Sequence, residues 1–544
     1  MHKRLALTIA CSSLMLAAPA FAQESVSGQD GAAYVPRQID GSEASAPSSA
    51  ENEKKLQAQI DSLQAEINAL KAQTQALETK ASELQMNQTD AAIKLEETRS
   101  LAEKSSGDSS ASRFRFGSYG RVQPSMNADG MKSGRQPRIV YPSPRVDEGS
   151  YVELWFGYNA YKGEDGATVD VVSTIAFSDD KLFHRDGIWD SSIAIRNLYV
   201  EARDVWFQGL VFWAGSRMYR GDDIYLLDTW PLDNLNTYGG GLGYHSAKYA
   251  GNMRTNFDVH FGTNRLNNDY QYQVVDTVDE RFVGKTDVIF LDRQRFITSI
   301  KAEQLFGGDD SPLFKIKLYS EIHSIDKGEH LETQPEQITE LPKDFGWLIG
   351  GQFGISNFLD GSYANLFIKY ATGLAAYGEM GIPFGVNTSK TAEDAKNLTV
   401  GLSAGLNILN YADVLFGGYV RYFTDADGVE EDFDDGVEGV WDLRLTGHVG
   451  KYFRPGIELS QQLRRPNGLN PASLKQELAS IFKFSLLPAV RFGDGVLGRP
   501  EFRFNYTLSV LNDAAKMLYN EKDYLRGKTY VHFVGFAAEW WFNL

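Results

Sequence analysis

From Phe114 onward the chain alternates apolar and polar residues, and this period of two constrains the fold more than any other feature. After Thr399, for example, Val400 and Leu402 share one face, while Gly401 and Ser403 take the other. Such strands present one face to lipid and the other to a polar lumen. No stretch is apolar for long enough to predict a transmembrane helix.

A strand cannot leave its edge unpaired in hydrocarbon, so the alternation predicts a closed barrel. The last strand, Tyr530–Phe542, is then expected to pair with the first, near Arg113–Val122. The region is long enough for roughly 16 to 18 antiparallel strands with long external loops. The predicted fold class is an all-β transmembrane barrel. A secreted soluble β-protein gives similar strands and remains an alternative on composition alone.

The N-terminus predicts an export signal in residues 1–22, with Lys3 and Arg4 before the apolar run Leu5–Leu16 and a cleavage site at Ala20-Phe-Ala22. The single cysteine, Cys11, lies inside this segment. The mature chain is therefore expected to have no cysteine, which excludes disulfides and thiol catalysis.

Three segments precede the barrel, which is predicted over residues 114–544. Residues 23–50 are rich in small and polar residues and predict a flexible leader, and 105–113 predict a linker. Residues 51–104 carry an apolar heptad that predicts an α-helical coiled coil, with a single solvated helix as the alternative. The heptad positions are Leu56, Ile60, Leu63, Ile67, Leu70, Thr74, Leu77, Ala81 and Leu84.

The 54 basic and 71 acidic residues give a net charge of −17, and no basic stripe for nucleic acid is present. The acidic run Thr424–Asp435 does not have EF-hand spacing and predicts an external loop rather than a divalent-cation site. Gly239-Gly-Gly-Leu-Gly243 predicts a turn. The eight histidines show no metal spacing, and no catalytic pair stands out. We expect neither an enzyme nor a cofactor.

Six segments spread over the barrel region carry a resemblance to a known family. They are Phe116-Gly-Ser-Tyr-Gly-Arg121, Tyr151-Val-Glu153, Trp213 to Asp228, Gly346-Trp-Leu348, Phe367 to Thr372 and Glu539-Trp-Trp541. They resemble the maltoporin and sucrose-porin family of sugar-specific outer-membrane channels, and the coiled coil resembles the sucrose-porin branch. The resemblance implies an 18-stranded trimeric barrel, a third loop folded into the lumen, and a row of aromatic residues along which sugars slide.

By this resemblance the aromatic row comprises five residues, of which strand parity directs four into the lumen. Each of the four shares its face with polar or charged residues, whereas Trp189 falls in a loop and is expected to reach a neighbouring subunit. A sugar ring stacks its apolar face on an aromatic ring, and its hydroxyls need donors and acceptors. The row is Tyr119, Tyr151, Trp189, Tyr363 and Trp541.

The resemblance also implies a polar track beside this row, with Trp230 at the constriction opposite it. Gly221 stands where maltoporins place a track arginine, and Arg220 is the candidate replacement. A further row aromatic is replaced by Val440, and Trp441 is expected to face lipid. The track residues are Arg121, Arg145, Glu153, Arg196, Arg220, Asp223 and Asp228.

These features predict a passive sugar-selective channel for maltodextrin- or sucrose-type oligosaccharides in the bacterial outer membrane. The expected partners are sugars, membrane lipid and lipopolysaccharide, two further copies in a homotrimer, and a periplasmic partner for the coiled coil. Two alternatives remain open. One is a general-diffusion or anion porin, and the other is a structural tether whose coiled coil lies in the periplasm.

Overall fold

The computed structural model describes most of the chain from residue 113 onward. The signal peptide, leader and coiled coil predicted above, and all of the linker except its last residue, lie outside the described residues. The described ranges are 113–128, 132–133, 136–178, 192–249, 252–278, 285–308, 311–333, 336–359, 361–408, 411–429, 431–470, 473–493 and 495–543.

Eighteen long antiparallel strands of the described chain form a closed barrel, as the alternation predicts. Each strand pairs with its neighbours along the chain. The barrel strands are β1 (Phe114–Val122), β4 (Tyr151–Lys162), β5 (Thr168–Ser178), β6 (Ser192–Arg203), β7 (Leu210–Arg220), β8 (Asn234–His245), β9 (Arg254–Asn264), β12 (Arg295–Gly307), β13 (Leu313–Ile325), β16 (Asp344–Ser356), β17 (Tyr363–Gly373), β18 (Lys396–Ile408), β19 (Ala412–Thr424), β20 (Gly436–Gly447), β22 (Gly456–Pro466), β23 (Ala479–Leu486), β25 (Glu501–Leu511) and β26 (Tyr530–Asn543).

The connections between these strands carry short elements of their own. None of the helices in the described ranges is long and apolar enough to cross a membrane. The short strands are β2 (Ser125–Asn127), β3 (Lys132–Ser133), β10 (Tyr272–Val278), β11 (Lys285–Asp292), β14 (Gly328–Thr333), β15 (Glu336–Leu341), β21 (Phe453–Arg454) and β24 (Ala489–Arg491). The helices are the α-helix α1 (Asp513–Met517) and 3-10 turns at Arg145–Asp147, Tyr225–Leu227, Leu374–Tyr377 and Tyr524–Gly527.

The first and last strands close the barrel, which confirms the predicted pairing. β1 and β26 run antiparallel from Gly117 opposite Asn543 to Val122 opposite Ala538. On its other side β1 pairs with β4. In the part of the chain that the structure describes, every barrel strand therefore pairs with a neighbour on both sides, as a strand in hydrocarbon must.

The two faces of the strands differ in exposure, as the sequence predicts. On β18, Leu402 is 39% exposed on the outer face, while Ser403 is 1% exposed on the inner face. On β20, Trp441 lies outward between buried Val440 and Asp442, so its predicted lipid-facing position is confirmed. The polar face therefore lines the lumen.

The two rims of the barrel carry connections of different length. One rim, here the loop rim, carries the long connections, including residues 123–150, 221–233 and 374–395. The other, the turn rim, carries short connections such as residues 163–167 and 204–209, and one long one, residues 487–500. Long connections on one rim and short turns on the other are typical of outer-membrane barrels.

The glycine run at residues 239–243 is a strand, so the turn predicted there is wrong. These residues lie within β8 and pair with β7 and β9. A side chain at Gly241 would begin 2.4 Å from Nε1 of Trp213, so the indole lies directly over the bare backbone. Glycine is required here for a close approach of an aromatic ring rather than for a turn.

The third loop-rim connection, residues 221–233, folds into the lumen and packs against the opposite wall. Ile224 and Leu226 are 0% and 1% exposed. A Cβ atom at Gly417 of β19 would lie 2.8 Å from Cγ2 of Ile224, and one at Gly401 of β18 would lie 3.0 Å from its Cδ1. Glycines in the wall therefore make the space in which this loop docks.

Replacing Gly417 by valine is expected to displace residues 221–233 from the wall, because the added side chain overlaps Ile224. Overpacking of this kind costs about 1–3 kcal/mol. Single-channel recordings should then show larger current fluctuations than in the wild type. The matched control is Gly351→Ala on β16, where a Cβ atom meets its nearest neighbour at 3.6 Å. A quiet Gly417→Val channel with wild-type conductance would contradict this docking role.

Candidate channel constriction

Three of the predicted aromatic residues form a continuous row on adjacent strands. Tyr119 of β1 pairs in register with Trp541 of β26, and Tyr151 lies on β4 at the other side of β1. The ring centroid of Tyr119 is 6.0 Å from that of Tyr151 and 6.5 Å from that of Trp541. Adjacent strands thus place the three rings side by side on the lumen wall, where strand parity predicts them.

The other two predicted row residues stand apart. The ring of Tyr363 on β17 lies over Gly405, where a Cβ atom would be 2.5 Å from its Cε1. Among the described residues no ring contact joins Tyr363 to the row. Trp189 lies outside the described residues, so its predicted place in a neighbouring channel remains a prediction.

Arginine and glutamate side chains form hydrogen bonds with the hydroxyl groups of the row. Arg145 Nη2 and Arg121 Nη1 donate to the Tyr119 hydroxyl at 2.8 and 3.1 Å. That hydroxyl in turn donates to Glu539 Oε1 at 3.3 Å. Arg196 Nη1 donates at 2.9 Å to the hydroxyl of Tyr151. Tyr119 and Tyr151 therefore share one hydrogen-bonded surface with Arg121, Arg145 and Arg196.

A β-bulge brings Arg196 to this surface. In the pairing of β5 with β6, Thr174 is opposite Asn197 and Ile175 is opposite Ile195, so Arg196 is the extra residue. A bulge re-aims a side chain and interrupts the alternation. Arg196 thereby lies 3.6 Å from Glu153, although Asn197 beside it is also buried on the inner side.

Residues 221–233 bring Asp228 of the predicted track to the row and place Trp230 beside Arg220, the last residue of β7. Asp228 Oδ2 is 4.0 Å from Arg121 Nη1. The guanidinium of Arg220 stacks 4.1 Å from the ring centroid of Trp230 and donates to Asn234 at 2.9 Å. At Gly221 a Cβ atom would lie 1.8 Å from Asp233 Oδ1, so this position has no room for a side chain.

Lys315 and Lys317 of β13 form ion pairs with residues 221–233 near both ends of this loop. Asp222 Oδ2 accepts from Lys315 Nζ at 2.7 Å and from Gln352 Nε2 at 2.8 Å. Lys317 Nζ lies 3.3 Å from Asp233 Oδ1 and 3.5 Å from Asp222 Oδ2. The loop is thus held by ion pairs as well as by the packing of Ile224.

Two adjacent carboxyl groups in this loop have opposite pKa shifts. Burial raises the pKa of Asp222, but the attraction of Lys317 and Lys315 outweighs it and holds the pKa well below its usual range. Burial raises the pKa of Asp223 to about 7, against the attraction of Arg145. Asp222 is therefore a fixed negative charge, while Asp223 changes its charge near neutral pH.

Three further lumen residues belong to this surface and were not predicted as site residues. Glu148 pairs with Arg121 at 2.6 Å. The ring of Tyr225 lies 4.5 Å from the guanidinium of Arg145. Arg499 lies 2.7 Å from Glu539 and 4.7 Å from the ring centroid of Trp541. Glu148 and Arg499 lie in connections, where alternation gives no signal, and Tyr225 lies within the resembling segment between Trp213 and Asp228.

The space among these side chains is very small. A cavity of about 10 Å³ lies among the charged groups beside the row, which is room for about one water molecule. It is lined by Arg121, Gln123, Arg145, Glu148, Tyr225, Arg444, Arg503, Ala537 and Glu539.

The acidic run of residues 424–435 lies at the loop rim, where it was predicted. Carboxylate oxygens of Asp425, Asp432 and Asp434 all lie within 4.8 Å of one another. Exposed acidic groups of this kind are common without an ion. This cluster is separate from the aromatic row, and no metal role follows from it.

A closed barrel with a polar lumen, narrowed by an in-folded third loop, defines a porin-type channel of the outer membrane. The model of the LamB porin family matches residues 114–542, and the chain belongs to this family. The family and the barrel point to a channel rather than to an enzyme.

Two solved structures similar to this chain are outer-membrane proteins. The chain is 10% identical to OccK1 (OpdK) of Pseudomonas aeruginosa, with a TM-score of 0.40, over 79% of this chain and 98% of that one. It is 11% identical to the outer membrane channel DcaP of Acinetobacter baumannii, with a TM-score of 0.38, over 80% of this chain and 99% of that one. Comparison with curated proteins gave no match.

Proposed function

We propose that this porin is a passive sugar-selective channel for maltodextrin- or sucrose-type oligosaccharides. The observation that carries the proposal is the continuous row of Tyr119, Tyr151 and Trp541, with arginines and acids bonded to its hydroxyl groups. Aromatic faces accept the apolar face of a sugar ring, and the charged groups bond its hydroxyls. Several weak neighbouring sites allow a solute both to enter and to leave.

The charges of the lumen favour this proposal over an anion porin. Arg121 lies beside the carboxylate of Glu148, and Arg145 lies beside that of Glu539. A lumen for anions would leave a surplus of positive charge facing the solute, whereas alternating signs suit hydroxyl groups. The proposal also includes a homotrimer in contact with lipid and lipopolysaccharide. Its coiled coil over residues 51–104 would lie in the periplasm and hold the trimer or a periplasmic partner.

Planar-bilayer recordings of the purified full chain, titrated with maltose, maltotriose and sucrose, test this proposal. We expect concentration-dependent current block by at least one of these sugars. A current that none of them alters would overturn the sugar channel in favour of a general-diffusion porin. Deleting residues 51–104 distinguishes a channel from a structural tether. A channel should keep conducting without these residues, whereas a tether should lose its function.

The charge selectivity of the channel is expected to change near neutral pH. Asp223 is neutral below its pKa of about 7 and ionised above it, so raising the pH adds one negative charge to the lumen. The permeability ratio of cations to anions, read from reversal potentials in a salt gradient, should therefore rise through about pH 7. Burial also raises the pKa of Glu148 to about 7, which adds to the same step.

Asp223→Asn should remove the part of this pH step that comes from Asp223 and leave the part from Glu148. The matched control is Asp222→Asn at the neighbouring position. Because Lys317 and Lys315 keep Asp222 ionised, its replacement should lower cation selectivity on both sides of neutral pH. The step from Asp223 should remain and move to lower pH, because the charge of Asp222 helps to raise the pKa of Asp223. An unchanged pH step in Asp223→Asn would show that Asp223 does not titrate in this range.

A further inference from the structure

One connection from the turn rim also enters the lumen and meets the loop that comes from the opposite rim. Its inner part, Gly495–Pro500, is called here the inner turn. Val496 of the inner turn is 3% exposed and packs in one apolar cluster with Leu415 of β19 and Leu226 of the third loop. Leu497 packs against the same cluster, as does Trp541. Segments from both rims therefore meet at the end of the aromatic row that Trp541 forms.

Arg499 of the inner turn covers the ring that ends the row. Its guanidinium lies 4.7 Å from the ring centroid of Trp541, and its side chain is 1% exposed. It lies 2.7 Å from Glu539 and donates to the hydroxyl of Tyr225. A planar guanidinium on an aromatic face occupies the place that a sugar ring would take when it stacks there.

If Arg499 moved away from Trp541, Arg499 and Glu539 would each still have a partner of opposite charge. Glu539 also pairs with Arg145 at 3.1 Å. Arg499 has a second acid in Glu501, which lies 3.7 Å away at the start of β25. Breaking a buried ion pair is costly when it leaves one charge unpaired. That cost is reduced here because each of the two groups has an alternative ion pair.

The base of the inner turn is narrow and carries glycines where its two limbs meet. The Phe492 amide donates to the Pro500 carbonyl at 3.0 Å, which closes the base. A Cβ atom at Gly493 would lie 2.4 Å from the Arg499 carbonyl oxygen. Gly495 has a φ of +81°, a conformation that glycine adopts without strain. Among the described residues of the base, Gly493 and Gly495 therefore carry no side chain that would resist a change in the direction of the turn.

We propose that the inner turn is a gate on the turn-rim side of the row, and that a sugar opens it by displacing Arg499 from Trp541. This inference rests on the proposed sugar channel, because the displacing solute is the transported one. In the empty channel Arg499 holds the place of the sugar ring, and Val496 with Leu497 packs against Leu226 and Leu415. When a sugar arrives, Arg499 moves toward Glu501 and Arg145 keeps Glu539 paired.

A disulfide between the inner turn and the wall tests whether the gate must move. The variant is Leu415→Cys with Val496→Cys in the full chain, with Cys11→Ser as background, since Cys11 is the single native cysteine. After oxidation, with the cross-link verified by mass spectrometry, we expect sugar flux to be largely lost. Reductant should restore it, and the two single-cysteine variants should not respond. A verified cross-link that leaves sugar flux unchanged would overturn the gate.

Substitution of Arg499 tests its role as the occupant of the Trp541 face. Arg499→Gln should bind maltotriose more tightly in current-block titrations, because the ring is uncovered. The matched control is Arg454→Gln, a turn-rim arginine that donates to the Lys451 carbonyl at 3.0 Å, and it should bind as the wild type does. Weaker block in Arg499→Gln would overturn the displacement, since Arg499 would then be part of the sugar site.

The two proposals can fail separately. If no sugar blocks the wild type, the sugar channel fails and so does displacement by sugar, whatever the disulfide does to ion flow. If sugars block the wild type and the oxidised double-cysteine variant passes sugar as fast as the reduced one, the gate alone fails.

Discussion

Trp541→Ala is expected to weaken sugar block by about tenfold or more, which corresponds to about 1.4 kcal/mol of binding free energy. The indole of Trp541 forms one end of the row, and its ring centroid lies 6.5 Å from that of Tyr119. Removing it deletes the largest aromatic face of the row, and aromatic contacts of this kind contribute about 0.5–1.5 kcal/mol beyond their buried area. The measurement is the half-blocking concentration of maltotriose in single-channel recordings.

Trp540→Ala is the matched control, because Trp540 is the neighbouring indole on the outer face of β26. Its Nε1 donates to Ser118 at 3.1 Å, outside the lumen. This variant should keep the half-blocking concentration of the wild type, although its stability in the bilayer can fall. Equal sugar block in the wild type and in Trp541→Ala would contradict the aromatic row as the sugar path.

Replacing Glu539 by alanine is expected to destabilise the folded barrel by about 3–5 kcal/mol. Glu539 is 5% exposed and lies 3.1 Å from Arg145 and 2.7 Å from Arg499. Removing the carboxylate takes one acidic partner from each of two buried guanidinium groups, those of Arg145 and Arg499. Urea unfolding followed by tryptophan fluorescence measures the change.

Asp170→Ala is the control for this stability prediction. Asp170 pairs with Arg115 at the same kind of distance, 2.9 Å, but the Arg115 side chain is 46% exposed. Exposed pairs contribute about 1 kcal/mol or less, so this variant should unfold close to the wild type. Similar losses in both variants would show that burial of the Glu539 pairs adds nothing to stability.

The barrel itself could be predicted from the sequence because alternation reports directly which residues face lipid. It predicted the pairing of β1 with β26 and the inward direction of Tyr119, Tyr151 and Trp541. It failed at the glycine run of β8, where the need for glycine comes from the indole of Trp213 on a neighbouring strand. A contact between strands has no signature in the local pattern.

The channel interior could be predicted only in part. The resemblance to a known family supplied the polar track, and the structure brings Arg121, Arg145, Arg196 and Asp228 to the row. Arg196 arrives through a bulge, which breaks the alternation that parity relies on. Tyr363 lies on the inner face as predicted, but without ring contact to the row in the described residues.

The sequence by itself determined the strands and their two faces, because these depend on neighbours one or two positions apart. It also determined the closure of the barrel, because no strand edge can stay unpaired in hydrocarbon. Only the tertiary structure decided how the lumen is filled. Tyr225 comes from a loop-rim connection and Arg499 from a turn-rim connection, and they meet beside Glu539 on the wall strand β26. Such a meeting depends on space and charge inside the closed barrel, and alternation along a strand carries no information about either.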